Sequence, residues 1–392
     1  MTEAYLHFIW KMKRLPFHQL KTIDDKPLLV YQTGVFNQHE SGPDFFNARI
    51  ALDGIEWAGQ IEMHLKSSDW YAHHHDSDQA YNNVVLHVVY EHDSEVFVNG
   101  SKIPTVELKD VIDWKHYDFW ISFNKSMREI PCENGISQID FMYVHAMMHR
   151  ALIERLNRKY GELMYTFSDF SEEAILYVLI ARAFGAKVNA IPFELLTNQL
   201  PLSVLKRLDK TQRKTSILIA SGLFQQEHDE DHFVSNRLHQ SIWKRKGLRP
   251  ASHPEYRVKQ FAAFVSNCDF ELLSQFVSPL EAKMYIQQVL QRDSDLNKLS
   301  NSMLNLILIN VVIPFFWLKS ERTENEVLQE YVFDFLESLP PEKNHIIDRW
   351  KQLQILPKNA YESQALIELY NQYCIHKKCL NCQIGVKILY DV

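Results

Sequence analysis

The sequence predicts an α+β protein: an N-terminal α/β core, a mixed sheet with flanking helices, followed by a larger all-α domain. Three observations carry this. Between Pro27 and Leu108, short runs rich in Val, Ile and aromatic residues are separated by Gly, Asp, Asn and Ser, which is the pattern of strands and tight turns. Beyond about Ile139, apolar residues recur every three to four positions in LIERLNRKYGELM, EEAILYVLIARAFG and VLQEYVFDFLESL, as amphipathic helices require. The 392 residues, 46% of them hydrophobic, are long and apolar enough for two cores, and only 11 glycines and 14 prolines exclude disorder as the main state.

In chain order, Leu6, Ile9, Trp10 and Lys13 have helical spacing within Thr2 to Arg14. LLVYQ, ARIALDGIEW and GQIEMHL then read as strands. Asp53-Gly54 is a hairpin turn, because both residues tolerate positive φ. The polar segment from Asp69 to Asn83 reads as a loop with a short helix, and NVVLHVVYE and VFVNGSKIPTVEL complete the sheet. Pro131, Asn134 and Gly135 mark a loop between the two grammars, so the expected domains are residues 1–125 and 126–392. Asp169 with Glu172, Ser252 with Glu255, Ser278 with Glu281 and Thr323 with Glu326 have the spacing of helix-start capping boxes. Met303 to Leu318, interrupted by Asn305, Asn310 and Pro314, reads as a core helix and not a membrane span. The opening MTEAYLHFIWKMKR lacks the order of a secretory signal, and five cysteines in a chain of this length read as reduced thiols. A cytoplasmic location without membrane attachment is the expectation; the oligomeric state stays open.

A formal charge of −7 excludes a uniformly basic coat for nucleic acid, so any phosphate-binding surface has to be a patch. Two helical segments qualify. Lys206, Arg207, Lys210, Arg213 and Lys214 form one; Arg237, Lys244, Arg245, Lys246, Arg249, Arg257 and Lys259 form the other. Each reads either as a phosphate track or as a solvated helix face.

Nine of the eighteen histidines lie in the first 92 residues. In the strand GQIEMHLK, Glu62, His64 and Lys66 share one face while Ile61, Met63 and Leu65 share the other. The Asp53-Gly54 turn can bring Asp44 near Glu62. Paired carboxylates with a basic neighbour suit metal-assisted phosphodiester hydrolysis, in which oxygen ligands hold Mg²⁺ and a basic group orients water. The same alternation also describes an ordinary half-solvated strand. Asp69, His73, His75, Asp78 and His87 offer nitrogen and oxygen donors that could hold Zn²⁺, and Trp57 and Trp70 are either core residues or stacking platforms. At the far end, Cys374, Cys379 and Cys382 with His376 have knuckle-like spacing for a second metal site, with zinc, an iron–sulfur cluster or plain reduced thiols as readings.

A Pro-Asp at a strand start, a hairpin, and a strand bearing Glu-x-basic, after one helix and before another helix and a fourth strand, resembles the PD-(D/E)XK nuclease superfamily. The resemblance implies a restriction-endonuclease-like core for the first part of the chain. It also implies metal ligation by Asp44 and Glu62, with His64 standing where the superfamily has lysine and Lys66 one strand step beyond. His64, Lys66 and Glu62 are then the expected catalytic groups, Asp44, Glu62 and His64 the metal ligands, and the basic patches the contacts to DNA or RNA. The alternative is a catalytically inactive scaffold of this fold that binds nucleic acid or protein. Across most of the chain, LHFIW, GPDFFNARI, WAGQIEMHLKSSDW, HHHDSDQAYNNVVLHVVY, ARAFGAKVNAIPFELL, LRPASHPEYRV and CLNCQIG together resemble an uncharacterised bacterial family, a domain of unknown function.

Overall fold

The computed structural model describes residues 1–37, 41–224 and 236–391. The architecture is α+β, with an N-terminal mixed sheet and a larger helical region. Two compact units divide the chain, Met1–Val144 with Asn371–Val392, and His145–Tyr370. The division therefore falls later than the expected boundary after residue 125. The C-terminal segment, expected as an appendage of the helical domain, belongs to the unit that contains the sheet. Local sequence grammar identifies a change from strands to helices, but which helices join which core is decided by long-range packing.

The sheet unit begins with helix α1 (Glu3–Lys11), whose N-cap Thr2 side chain accepts from the Tyr5 N–H and which buries Tyr5, Leu6, Phe8, Ile9 and Trp10. Strands β1 (Leu28–Gln32), β2 (Val35–Phe36), β3 (Phe45–Leu52) and β4 (Ile55–Lys66) follow. Asp53 and Gly54, with φ of 52° and 81°, make the β3–β4 turn, as their sequence predicted. Helix α2 (Asp69–Ala72) crosses to β5 (Val84–Glu91); a small ribbon of β6 (Phe97–Val98) and β7 (Ser101–Lys102) precedes β8 (Thr105–Glu107). The main sheet runs β1-β3-β4-β5-β8, with β2 on β3. Pairing is antiparallel from β1 to β4, then parallel for β4 with β5 and β5 with β8.

That switch to parallel pairing places β4 in the middle of the sheet. Its inner half is buried on both faces: Ile61 and Met63 on one, Glu62 and His64 on the other. A half-solvated strand is therefore excluded. Gly59 shows how closely β4 and its neighbour approach, since a Cβ there would lie 2.4 Å from Val85 Cγ1 and 2.7 Å from Asn83 O. A Gly59→Ala variant is expected to lose about 1–3 kcal/mol in a urea titration, because backbone and a stiff β-branched neighbour both have to move.

Helix α3 (Trp114–Lys125), capped by Asp113, precedes the loop that Pro131, Asn134 and Gly135 mark. The terminal helix Gln383–Tyr390 also belongs to this unit; Arg14 Nη2 donates to Tyr390 O at 2.9 Å, and His116 on α3 bridges Tyr5 Oη and Leu389 O, both at 2.8 Å.

In the helical unit, Ser278 caps Pro279–Leu290 as its motif predicted, accepting from the Glu281 N–H. The other three starts are displaced. Ser171, His253 and Asn325 occupy the N-cap positions instead of Asp169, Ser252 and Thr323. Thr323 still belongs to the preceding helix, which closes on Glu324 at φ 50°, so the first extended residue able to cap is Asn325. Residues 172–199 and 301–323 match a membrane span in length and hydropathy, but 61% and 67% of their apolar windows are buried inside the protein. The first also breaks at Ala186 and Asn189, and the second, containing the predicted core segment Met303 to Leu318, includes a π turn at Leu308–Val312. Both serve as core.

Candidate metal centre

Asp44 stands at the entrance to β3 and Glu62 on the adjoining strand. Their meeting is fixed by backbone: the Asp44 N–H donates to Glu62 Oε2 at 3.0 Å, and the Met63 N–H donates to Asp44 Oδ2 at 2.9 Å. The α1 residue His7 brings its Nε2 to 3.1 Å from Asp44 Oδ2. This buried nitrogen makes no hydrogen bond there, so its approach to the carboxylate is poorly aligned. Glu62, 5% exposed, receives two imidazoles on its other oxygen: His75 Nε2 at 3.3 Å and His64 Nε2 at 3.5 Å from Oε1.

The imidazoles form a cluster of their own. His64 Nδ1 shares a hydrogen bond with His87 Nε2 at 2.9 Å, and His64 Nε2 with His73 Nδ1 at 3.1 Å. His64, His73 and His75 have ligand nitrogens all within 4.8 Å of one another, the one such trio among the described residues. The parallel register explains half of this, because Glu62 pairs with His87 and His64 with Val89 across β4 and β5. The turn after α2 supplies the rest: His74 takes φ 61° and the His75 N–H donates to Trp70 O at 3.1 Å, turning the chain back so that His73 and His75 reach the strand.

Trp70 is fully buried and walls the cluster, edge-on to His75 and His87 at 5.4 Å; Tyr81 stacks on His75 at 3.8 Å. Trp70 is thus core rather than a stacking platform, whereas Trp57 is exposed. Such surroundings strongly disfavour charge. Burial, reinforced by the Asp44 carboxylate, pushes Glu62 up to about 9. Burial, with His75 and His73 adding to it, pushes His64 down to about 3; His75 and His87 are lowered mainly by burial as well. Glu3 on α1 is raised by burial and lies within electrostatic reach of His7 and Asp44.

The expected residues thus separate into two groups. Asp44, Glu62, His64, His73, His75 and His87 converge. Lys66 does not: it is exposed at the end of β4, its charge acts on Asp93, and its backbone N–H donates to Asp69 Oδ2. Asp69 serves that local turn, and Asp78 is an N-cap, its Oδ1 accepting from the Ala80 N–H at 2.9 Å. His7 escapes a reading of local spacing because α1 is far away in sequence; its position on a helix face with Glu3, four residues earlier, is the one available signal.

Much of the anticipated phosphate track is already paired. Lys206 meets Glu173 and Glu271, Lys214 meets Asp293 and Asp295, and Arg245 meets Glu255. Arg213 donates to the Leu205 and Leu208 carbonyls, and Lys210 to Asn267 Oδ1. Arg207, Lys244, Lys246 and Arg249 are exposed. His376, expected as a ligand in the tail, is exposed too, while Cys374, Cys379 and Cys382 are buried.

The family model described as a protein of unknown function, DUF2851, matches residues 3–345. The chain belongs to the DUF2851 family. The matched span includes the whole carboxylate and histidine cluster of this DUF2851 member, from His7 to His87. No curated protein and no solved structure matches the chain.

Proposed function

We propose that this DUF2851 chain is a metal-dependent hydrolase of phosphodiester bonds in DNA or RNA, built on Asp44, Glu62 and His64. The observation that carries the reading is the meeting of two carboxylates across the β3–β4 hairpin, directly beside three imidazoles within coordinating distance of one another. The order of elements supports it: α1, the antiparallel strands, α2, then β5 parallel to β4 is the order implied by the nuclease resemblance.

His64 cannot act as the missing lysine, because its burial keeps the ring neutral. A neutral imidazole is a ligand or a proton acceptor. With Glu62, His64, His73 and His75 the donor set is rich in nitrogen, which favours Mn²⁺ or Zn²⁺ over Mg²⁺, whose preferred ligands are oxygens. The buried His7 nitrogen, without a hydrogen bond, fits the same use. A bound ion would polarise the phosphate and acidify a water. The chain's own groups would orient that ion and accept the water proton. Arg207, Lys244, Lys246 and Arg249, exposed in the helical unit, are the basic residues proposed to contact a phosphate backbone.

Purified protein given Mn²⁺, Zn²⁺ or Mg²⁺ is expected to cut labelled DNA or RNA, with EDTA stopping the reaction. Asp44→Asn is expected to slow cutting about 100-fold, equivalent to about 2.7 kcal/mol of barrier. No cutting with any of the three metals, or undiminished cutting by Asp44→Asn, overturns the proposal. Salt-sensitive binding without cutting would instead favour the inactive scaffold.

A further inference from the structure

Four of the five cysteines gather in the sheet unit, although one of them is far from the other three in sequence. Cys132 lies in the loop after α3, where its carbonyl accepts from the Gly135 N–H at 3.0 Å. Gly135 is pressed against the terminal helix so closely that a Cβ there would lie 2.8 Å from Ile388 Cγ2. One turn earlier on the same helix, Gly385 packs on Cys379, where a Cβ would lie 2.4 Å from the Cys379 carbonyl oxygen. Cys379 and Cys382 are joined by a short turn, the Cys382 N–H donating to Cys379 O at 3.3 Å. Cys374 ends the preceding π turn. The loop of Cys132 and the turn of Cys379 therefore flank the same helix. All four side chains are buried, at 6% to 7% exposure, and none is in a disulfide.

The four thiols also lie within electrostatic reach of one another. Burial raises the Cys132 thiol, and Cys382 and Cys379 raise it further; burial likewise raises Cys374, with Cys132, Cys382 and Cys379 adding to it. Lys377 acts on Cys379 with the opposite sign.

We propose that Cys132, Cys374, Cys379 and Cys382 form a structural zinc site that fastens the C-terminal segment to the loop after α3. Four thiols are a complete tetrahedral set, so no position is left open for substrate, and the role is structural. Binding replaces four S–H bonds by four Zn–S bonds and releases four protons to solvent, leaving a dianionic centre beside the cationic Lys377. The sulfurs have to close in, because no three of them share the mutual 4.8 Å spacing of the histidine trio. Rotation about χ1 can supply such a movement, toward Zn–S bonds of about 2.3 Å. His376, outside the buried group, is not a ligand.

Cobalt replacing zinc in the protein provides the test, because a thiolate-to-cobalt charge-transfer band reports sulfur ligands and does not arise at a histidine centre, while the d–d bands report tetrahedral geometry. The bands are expected in the parent, in His376→Ala and in a His73→Ala/His75→Ala double variant. In Cys132→Ser, cobalt affinity is expected to fall at least 10-fold. Should that variant not fold, the parent still answers: four thiol equivalents of an organomercurial are expected to release one zinc. Absence of the charge-transfer band in the parent, unchanged affinity in Cys132→Ser, zinc release without thiol titration, or iron with acid-labile sulfide in the purified protein overturns the assignment. Since the double variant removes histidine ligands of the proposed hydrolytic centre and spares the cysteines, failure of one site is distinguishable from failure of the other.

Discussion

A Glu62→Gln variant stripped of metal with EDTA is expected to be more stable than the parent at pH 7 by about 3 kcal/mol. The parent carboxyl has an ordinary value of 4.5 and is pushed up to about 9 in the folded protein, first by burial and then by Asp44. Unfolding between those limits releases a proton, so the folded state loses stability as pH rises from 4.5 towards 9, at about 1.4 kcal/mol per pH unit. At pH 7 the accumulated cost is about 3 kcal/mol. Glutamine fits the same space and removes the titration. Its oxygen can accept from the Asp44 N–H, and its amide can donate to the His75 nitrogen that now faces Glu62.

The histidines give the opposite limb. His64 is held down at about 3, so the unfolded chain takes up a proton as pH falls below about 6.5 while the folded one does not. That costs about 2 kcal/mol by pH 5, and His75 and His87, lowered in the same direction, steepen the fall. Metal-free parent is therefore expected to be most stable near pH 6.5. Glu62→Gln is expected to flatten the alkaline limb and to steepen the acid limb, because between pH 4.5 and 6.5 the Glu62 titration opposes that of the histidines. Urea titrations from pH 5 to 9 in EDTA check this. Mn²⁺ or Zn²⁺ should stabilise the parent more than the variant, because the ionised carboxylate is the form a metal holds. An alkaline limb that survives in the variant would contradict the placement of Glu62.

In the helical unit, Glu368→Ala is expected to cost about 3–5 kcal/mol. Glu368 is 1% exposed and accepts two bonds from Arg158, Nε to Oε1 at 3.0 Å and Nη2 to Oε2 at 2.8 Å, while Arg155 Nη1 lies 3.5 Å away. Arg158 retains Glu162 when Glu368 is removed, but the largely buried Arg155 loses the Glu368 carboxylate. An uncompensated buried guanidinium is the costly outcome. Glu154→Ala offers the contrast. Both side chains of its ion pair with Arg150 are more than a third exposed, so the contact at 2.8 Å competes with water, and a change of about 0.5 kcal/mol or less is expected. Equal effects of the two variants in chemical denaturation would refute the distinction.

These effects depend on burial, and burial separates what was legible in the sequence from what was not. Strand and turn identity came through locally: Asp53-Gly54 could be read because a tight hairpin requires positive φ, which bulky residues resist. Alternation placed Glu62 and His64 on one face of β4, and that held. Alternation could not reveal that this face is dry, since the difference lies in β4 pairing in parallel with β5, a partner on the far side of α2. The helix caps show the same limit at short range, where several Ser, Thr and Asn residues could begin a helix and φ/ψ selects one.

The sequence by itself determined the succession of sheet and helices, the hairpin, and a strand carrying carboxylate and imidazole two residues apart, because these follow from interactions within a few residues. Tertiary structure decided which chemical groups meet. Asp44, at the entrance to β3, and His75, from the turn after α2, reach Glu62, and His7 from α1 reaches Asp44, while Lys66, only four residues from Glu62, faces water. Likewise Cys132, and not the neighbouring His376, joins the cysteines of the tail. The reason is physical: local spacing sets the face from which a side chain projects, but the dielectric and the partners it encounters are set by whatever long-range packing brings to that face.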